Sequence, residues 1–482
     1  MSISILHISD LHRDPENPIG NDALLDSLEN DRHRYTMEED PTVRSPDLII
    51  VSGDIIQGVP ADGVDVDNQL RSQYDEALQF LNQLTSRFVS GNKGRVVIVP
   101  GNHDVSAPHF VRSLQHIDLD PDRKLGLVEQ LFSRNSLLRW SWSEFELYEI
   151  VNRNQYAQRL NPFCEFYERF YEGHRSYSLD PSSQFQIFDF PEFNLTIVGF
   201  CSCYNNDIFN RQGDIHPDCI SGAGMALRDS LYEKRIRMAV WHHNAEGLPM
   251  QSDYMDPEIL QNLIDRGFSI GFHGHQHKPQ FLDTRFRYQG KRRITVISAG
   301  TLCGDASFRF ARAYNVIELD LESCTGVLHL REMQNDHLQL PIWGRRSLPP
   351  TTASRLDFQF DPPPEPLVQT RITTTELLKA QRLYDDGSFR AAAEILVGIA
   401  SSEPLAKRLL LDCYGQLDDM SAIIKEFDPP TSATEAIYLI EALWREGQHE
   451  HLRQVLSESK IASSTDPSVI EMRDKYALRL SK

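Results

Sequence analysis

The stretch Val96-Val97-Ile98-Val99-Pro100-Gly101-Asn102-His103-Asp104 passes from a β-branched apolar run, through a turn, to three polar side chains. A continuous apolar run of this kind reads as a strand buried on both faces. In layered α/β sheets, ligand-binding groups collect where such strands end. The pattern recurs along the chain. Ile3–Ser9 is followed by Asp10-Leu11-His12, and Asp47–Ser52 by Gly53-Asp54. Further on, Arg237–Trp241 runs into His242-His243-Asn244, and Phe268–Phe272 into His273-Gly274-His275-Gln276-His277. Asn194–Phe200 and Ile294–Ser298 add two more apolar runs. Between the second and third ligand-bearing runs, Leu70, Tyr74, Ala77, Leu78, Leu81, Leu84 and Phe88 recur at helical spacing, so strand–helix–strand is the local unit and the class is α/β.

Taken singly, each polar segment has a plain structural explanation. Asp-x-His and Asn-His-Asp can cap a turn, Gly-Asp is a common bend, and a histidine near a strand is more often a hydrogen-bonded core residue than a ligand. Their joint occurrence, each behind an apolar run, points elsewhere. Two cations a few ångströms apart need one anionic bridge plus oxygen and imidazole ligands to fix each geometry. A mixture of Asp, Asn and His suits Mn²⁺, Fe, Zn²⁺ or Ni²⁺ better than Ca²⁺, which wants more oxygens, or a thiolate site, which wants cysteine.

In order, D-x-H, G-D, G-N-H-D, H-H and G-H-x-H, these blocks resemble the calcineurin-like metallophosphoesterase superfamily, over residues 1 to about 345. The resemblance implies a four-layer α/β/β/α sandwich and a binuclear centre. It assigns Asp10, His12 and His277 to one metal and Asn102, His242 and His275 to the other, with Asp54 bridging them together with a water or hydroxide. Mn²⁺ is the first expectation. His103 matches the family's catalytic histidine, and Asp104 is expected to orient its imidazole. His243 is expected beside the ligands or facing substrate, and His273 and His7 as buried structural residues.

The implied activity is phosphoester hydrolysis by a metal-activated hydroxide. Gly53-Asp54-Ile55-Ile56-Gln57-Gly58 lacks the Asp-Arg that follows this Gly-Asp in protein Ser/Thr phosphatases, and Asn-His-Asp stands where they have Asn-His-Glu. The blocks look more like the bacterial phosphodiesterase and nuclease branches. A phosphodiesterase acting on a nucleotide or nucleic-acid phosphodiester is therefore expected. The alternatives are a nuclease working with a partner protein, a phosphomonoesterase, and an interaction scaffold.

Outside the motif-bearing runs the chain changes character. Residues 104–191 are rich in aromatics and read as a mostly helical insertion. Residues 346–370 carry Pro349-Pro350 and Pro362-Pro363-Pro364 and read as a linker. From 371 to 482 the periodicity is wholly helical. Tyr384, Tyr414 and Trp444 stand 30 residues apart, each before a turn and a second apolar helix. Stacked helical hairpins resembling tetratricopeptide repeats explain this, against an ordinary helical bundle, and imply a protein partner or self-association.

Composition narrows the setting. A net charge of −20 over 482 residues argues against broad coating of nucleic acid or an anionic membrane, though it leaves room for a local basic groove. No window approaches a membrane span, and the start lacks the pattern of a signal peptide. Seven scattered cysteines read as reduced, mostly buried thiols, so the expected location is cytoplasmic.

Overall fold

The computed structural model describes all residues except 1, 119–126, 128–129, 132, 134–135, 233, 248–252, 285–291, 307–309, 347–353, 365–367, 402–403, 458, 465 and 481–482. The chain divides into two compact units, Met1–Glu365 and Pro366–Lys482.

In the first unit, β1 (Ser2–Ile8), β2 (Leu48–Val51) and β3 (Val96–Ile98) are parallel neighbours. Strands β4 (Leu114–Ile117), β5 (Leu138–Ser141) and β6 (Glu146–Ile150) make a separate antiparallel sheet in the order β4-β6-β5. The second large sheet holds β7 (Phe185–Phe190), β8 (Leu195–Phe200), β9 (Ile236–Val240), β10 (Phe268–His273), β11 (Gln280–Thr284) and β12 (Ile294–Ser298). Its order is β11-β12-β10-β9-β8-β7, with β8, β9, β10 and β12 parallel. The chain then returns to the first sheet with β13 (Ala313–Asp320), β14 (Thr325–Met333), β15 (Trp343–Arg345) and β16 (Leu356–Gln359). The order there is β15-β14-β13-β1-β2-β3, and β16 pairs with β14.

Side-chain alternation assembles the layers. Along β8 and β9, Ile197, Met238 and Val240 join one core with Ile5, Ile50 and Val316 of the first sheet. Their alternate neighbours Val198, Ala239 and Trp241 join a second core with Ile220, Ala223, Ile259 and Leu263, on helices Pro217–Ala226 and Pro257–Asp265. Helices Asn21–Met37 and Val66–Val89 contribute Leu24, Leu28, Leu81 and Leu84 to the first core. The result is an α/β/β/α sandwich. Each fully buried Leu or Ile contributes roughly 1.5–3 kcal/mol, so the strand ends rest on a stiff support.

Two stretches differ from their sequence reading. Residues 104–191 do carry helices, Asn161–Phe170 the longest described, but also the sheet β4–β6, and β7 belongs to the second large sheet. The aromatics there read as helical, although on the short strand β6 Leu147 and Ile150 are buried and Tyr148 is not. The stretch read as linker holds β16, where Phe358 is buried against β14. Its flanking prolines masked the alternation of Leu356, Phe358 and Phe360.

The second unit is helical. Three helices, Val368–Asp385, Pro404–Gln416 and Ala433–Arg445, are each followed by a shorter one, Phe389–Val397, Met420–Phe427 and His449–Ser457. Tyr384, Tyr414 and Trp444 lie near the ends of the longer members. Tyr384 packs on Phe389 and Trp444 on His449, the same five-residue offset in the first and third pairs.

Candidate metal centre

The expected residues arrive from five strand ends. Asp10 and His12 follow β1, Asp54 follows β2, Asn102 and His103 follow β3, His242 follows β9, and His275 and His277 follow β10. The turns that present them are strained. Asp10, His12, Asp54, His275 and His277 have φ of 53°, 43°, 51°, 77° and 53°. A non-glycine residue in this left-handed region costs on the order of 1–3 kcal/mol, a cost tolerated where neighbouring structure fixes it and function calls for it. Here Asp10 N–H donates to Gly53 O at 3.1 Å and His12 N–H to Asp54 O at 3.0 Å, lacing the first two turns together. Gly53 has φ of 98°, and a Cβ there would strike the His242 ring, so the position takes glycine on both counts.

Three overlapping groups put one ligand atom per residue within 4.8 Å of the others: Asp10, His12 and His277; His12, Asp54 and His103; and Asp54, His242 and His275. Asn102 completes the last, its Oδ1 3.0 Å from His242 Nε2 and 2.8 Å from His275 Nδ1. Asp54 lies in two of the groups, and His12 joins the first to the second.

Hydrogen bonds on the far sides of two rings set their tautomers. His242 Nδ1–H donates to Ser52 O at 2.8 Å, and His277 Nδ1–H to Asp305 O at 2.9 Å. Each Nε2 is thereby left to present a lone pair inward, the arrangement that metal-binding imidazoles need. His242 Nε2 faces Asp54 Oδ2 at 3.2 Å; His277 Nε2 faces Asp10 Oδ1 at 3.4 Å and His12 Nε2 at 3.2 Å. Asp10 Oδ1 is buried and has no hydrogen-bond partner. Lone pairs converging on a buried, undonated carboxylate oxygen call for a cation, so the donor set fits a divalent pair.

The charges agree. Burial disfavours a charged His242, yet Asp54 outweighs it and raises the ring to about 9. His277 is likewise lifted to about 9, the nearby Asp10 carboxylate outweighing its burial. Burial takes His12 and His275 down to about 4. Asp10, despite burial, is held at about 2 by His277 and His242, and Asp54 is pulled well below the carboxylate range by His242 and His103. The carboxylates thus demand positive charge at the positions a pair of cations would fill.

One expected role is corrected. Asp104 does not meet the His103 ring. Its carboxylate accepts from Ile55 N–H at 3.1 Å, Gly101 N–H at 2.8 Å and Tyr74 O–H at 3.1 Å. The tight Asn102–Asp104 turn swings it back beneath the Gly53-Asp54 bend, where burial and the Asp54 charge push it up to about 7. The His103 ring is steadied instead by Nδ1 donating to Gln57 O at 2.6 Å, and its backbone N–H donates to Asp54 Oδ1 at 2.8 Å.

Among the other histidines, His243 is buried between Ser202 Oγ at 2.9 Å and Asn206 Nδ2 at 3.1 Å, packed against His275. His273 stacks on Trp241, and His7 bonds Ser52 Oγ at 2.9 Å. Beside the cluster opens a cleft of about 610 Å³, lined in part by Asn102, His103, His275, Asn206, Arg211 and Asp253. Asp253 comes within 3.8 Å of His275 Nε2. Asn206, Arg211 and Asp253 sit in loops without a motif, and nothing in the sequence pattern marks them out.

A family model described as calcineurin-like phosphoesterase matches residues 3–279, spanning every one of these strand ends. The chain belongs to the calcineurin-like phosphoesterase family. Members are dimetal-dependent, and this calcineurin-like phosphoesterase is a metal-dependent hydrolase of phosphoric esters. Similar solved structures include a dimetal phosphatase from Danio rerio, at 12% identity and TM-score 0.39, covering 74% of this chain and 99% of that one. Another is the calcineurin-like phosphoesterase YfkN from Bacillus subtilis, at 12% identity and TM-score 0.29, covering 75% and 90%. A third is phosphopantetheinyl hydrolase from Mycobacterium tuberculosis, at 16% identity and TM-score 0.26, covering 62% and 89%. No curated protein matches the chain significantly. Among the described residues, no helix is long and apolar enough to cross a membrane.

Proposed function

We propose that the chain is a binuclear phosphodiesterase acting on a nucleotide-sized ester. Asp10, His12 and His277 would hold one cation and Asn102, His242 and His275 the other, with Asp54 shared; Mn²⁺ is the favoured metal. The observation carrying this reading is that buried Asp54 is within ligand reach both of His12 and of the His242–His275 pair, beside a cleft lined by Asn102, His103 and His275. A bound pair of divalent cations supplies Lewis acidity toward phosphoryl oxygens and lowers the pKa of water.

The chain's own residues do the rest. Asp54 turns Oδ2 toward both halves of the cluster, 3.2 Å from His242 Nε2 and 3.9 Å from His12 Nε2, while Oδ1 accepts the His103 N–H. His103 lines the cleft with Nδ1 committed to Gln57 O, which leaves Nε2 to hydrogen-bond the phosphoryl group or to give a proton to the departing oxygen. Asp104 acts from behind, fixing the Gly53-Asp54 and Gly101-Asn102 turns through Ile55 and Gly101 N–H.

A small ester is favoured over a polymer because Arg211 is the sole Lys or Arg among the described residues lining the cleft. A nucleic-acid channel needs a track of such cations. The test is metal analysis together with turnover of bis(p-nitrophenyl) phosphate against p-nitrophenyl phosphate in Mn²⁺. Preference for the diester supports the reading, and preference for the monoester removes the phosphodiesterase assignment.

The second unit supports a further reading as a tetratricopeptide-like interaction module, from its three successive long-short helix pairs. Size-exclusion chromatography with and without residues 370–482 tests self-association.

A further inference from the structure

The cleft has a wall that carries none of the candidate metal ligands. Asn206, Asp207, Ile208 and Arg211 line it on a loop after β8, sharing the space with His103 and with the apolar group Val59, Pro60 and Phe110. This loop is held by the described part of the 104–191 insertion. Arg139 of β5 donates from Nε to Asp207 Oδ2 at 2.7 Å, and the two side chains are 6% and 0% exposed. Tyr156 O–H reaches the same oxygen at 3.1 Å, while Asp207 Oδ1 accepts the backbone N–H of Phe209 and Asn210 at 3.0 and 2.9 Å. Arg159, also buried, donates to Tyr204 O at 2.6 Å and Cys203 O at 3.2 Å. The Phe209 ring stacks on Tyr148 of β6 with an interplanar angle of 15°.

A fully desolvated ion pair is costly, and one place where it repays that cost is in fixing a geometry that apolar packing would leave loose. Here Asp207 organises the loop's own backbone and Arg139 anchors it to the insertion. The loop then offers the cleft two unlike groups. Ile208 is 39% exposed, and Arg211 is exposed and makes no ion pair among the described residues.

We propose that the insertion is the substrate-selecting part of the enzyme: the Arg139–Asp207 pair fixes the 203–211 loop as the far wall of the cleft, where Ile208 and Arg211 receive the organic portion of an ester bearing an apolar face and a second anionic group. Arg139 is a positioning residue and touches no substrate; Arg211 is the anion contact. This rests on the reading that the phosphoryl group lies at Asp54 and His103. The ligand class is a nucleoside phosphodiester carrying a second phosphate, for which a nucleoside bisphosphate is the product-like probe.

Binding without turnover separates the two readings. Calorimetry on the full chain with Mn²⁺ would compare thymidine 5′-monophosphate with thymidine 3′,5′-bisphosphate. The wild type is expected to bind the bisphosphate at least fivefold more tightly. Arg211→Gln is expected to bring that ratio below two. Arg139→Met should do the same, with partial recovery in Arg139→Lys, which restores the charge but not the fork. A mere loss of folded protein lowers the bound fraction for both ligands alike and leaves the ratio in place. If Arg139→Met does not fold, Arg211→Gln on the surface still decides. Equal affinities in the wild type, no binding of either ligand, or a ratio that survives Arg211→Gln would overturn the proposal. Selective binding without hydrolysis of any ester would instead remove the catalytic reading and leave the wall standing.

Discussion

The two sides of the cleft are built on opposite principles. The metal side takes short strained turns from five strand ends of two stacked sheets, and its residues stay close in sequence to the strand that aims each one. The far wall is a loop whose position depends on partners 40 to 70 residues away, Arg139 for Asp207 and Arg159 for Tyr204, at separations of 68 and 45. The first arrangement fixes chemistry and the second leaves recognition free to vary. A strand end cannot move without disturbing a core, whereas a loop can be reset by changing one buried pair.

The largest predicted effect breaks the metal side alone. Asp54→Ala removes the carboxylate common to two ligand groups. Activity is expected to fall by roughly 10⁴-fold, as when a member of a cooperating catalytic set is lost. Plasma emission analysis should find both cations depleted, and full occupancy would sink the bridging assignment. His103→Ala comes next. Metal content should match the wild type while kcat drops by about 10²- to 10³-fold, the usual scale for a lost general acid. Loss of metal in this variant would make His103 a ligand, which its place in the second group makes a fair contest.

Gly53→Ala tests the strain on the metal side without removing a ligand. The new Cβ would sit at φ 98° and against the His242 ring, so the cost should be roughly 2–3 kcal/mol of stability with weakened metal retention. Urea denaturation and metal titration measure the two. An unchanged midpoint would mean the turn is looser than its hydrogen bonds imply.

This contrast also explains what the sequence disclosed. Every strand bearing a candidate ligand was readable, because buried parallel strands are continuous apolar runs. The ligand residues converge because each is tied to such a run. Strand β14 was missed, since His329, Arg331 and Glu332 lie among its buried residues and look like a solvated stretch. Arg331 is in fact neutralised by Asp31 at 2.6 Å and Glu39 at 2.9 Å, from the helix Asn21–Met37 and just beyond it, some 300 residues earlier in the chain. The role of Asp104 was misread for a related reason. Sequence adjacency to His103 suggested a contact, but the direction of a side chain in a tight turn is a three-dimensional fact. The far wall was not legible at all, because a polar loop has no period to betray which of its side chains turn inward.

The smallest effect sharpens the contrast within the insertion itself. On β5 the side chains alternate, so Arg139 and Ser141 take one face and Leu138 and Trp140 the other. Trp142, just past the strand, is 74% exposed and packs edge-on against Trp140. If the insertion acts on the cleft only through the face that holds Asp207, Trp142→Ala should change stability by no more than about 0.5 kcal/mol, the usual limit for an exposed site away from special features. It should also leave the bisphosphate preference within twofold, since none of the hydrogen bonds fixing the 203–211 loop involves that ring. A loss of preference in Trp142→Ala equal to that in Arg139→Met would show that the whole sheet β4–β6, and not the single buried pair, sets the wall.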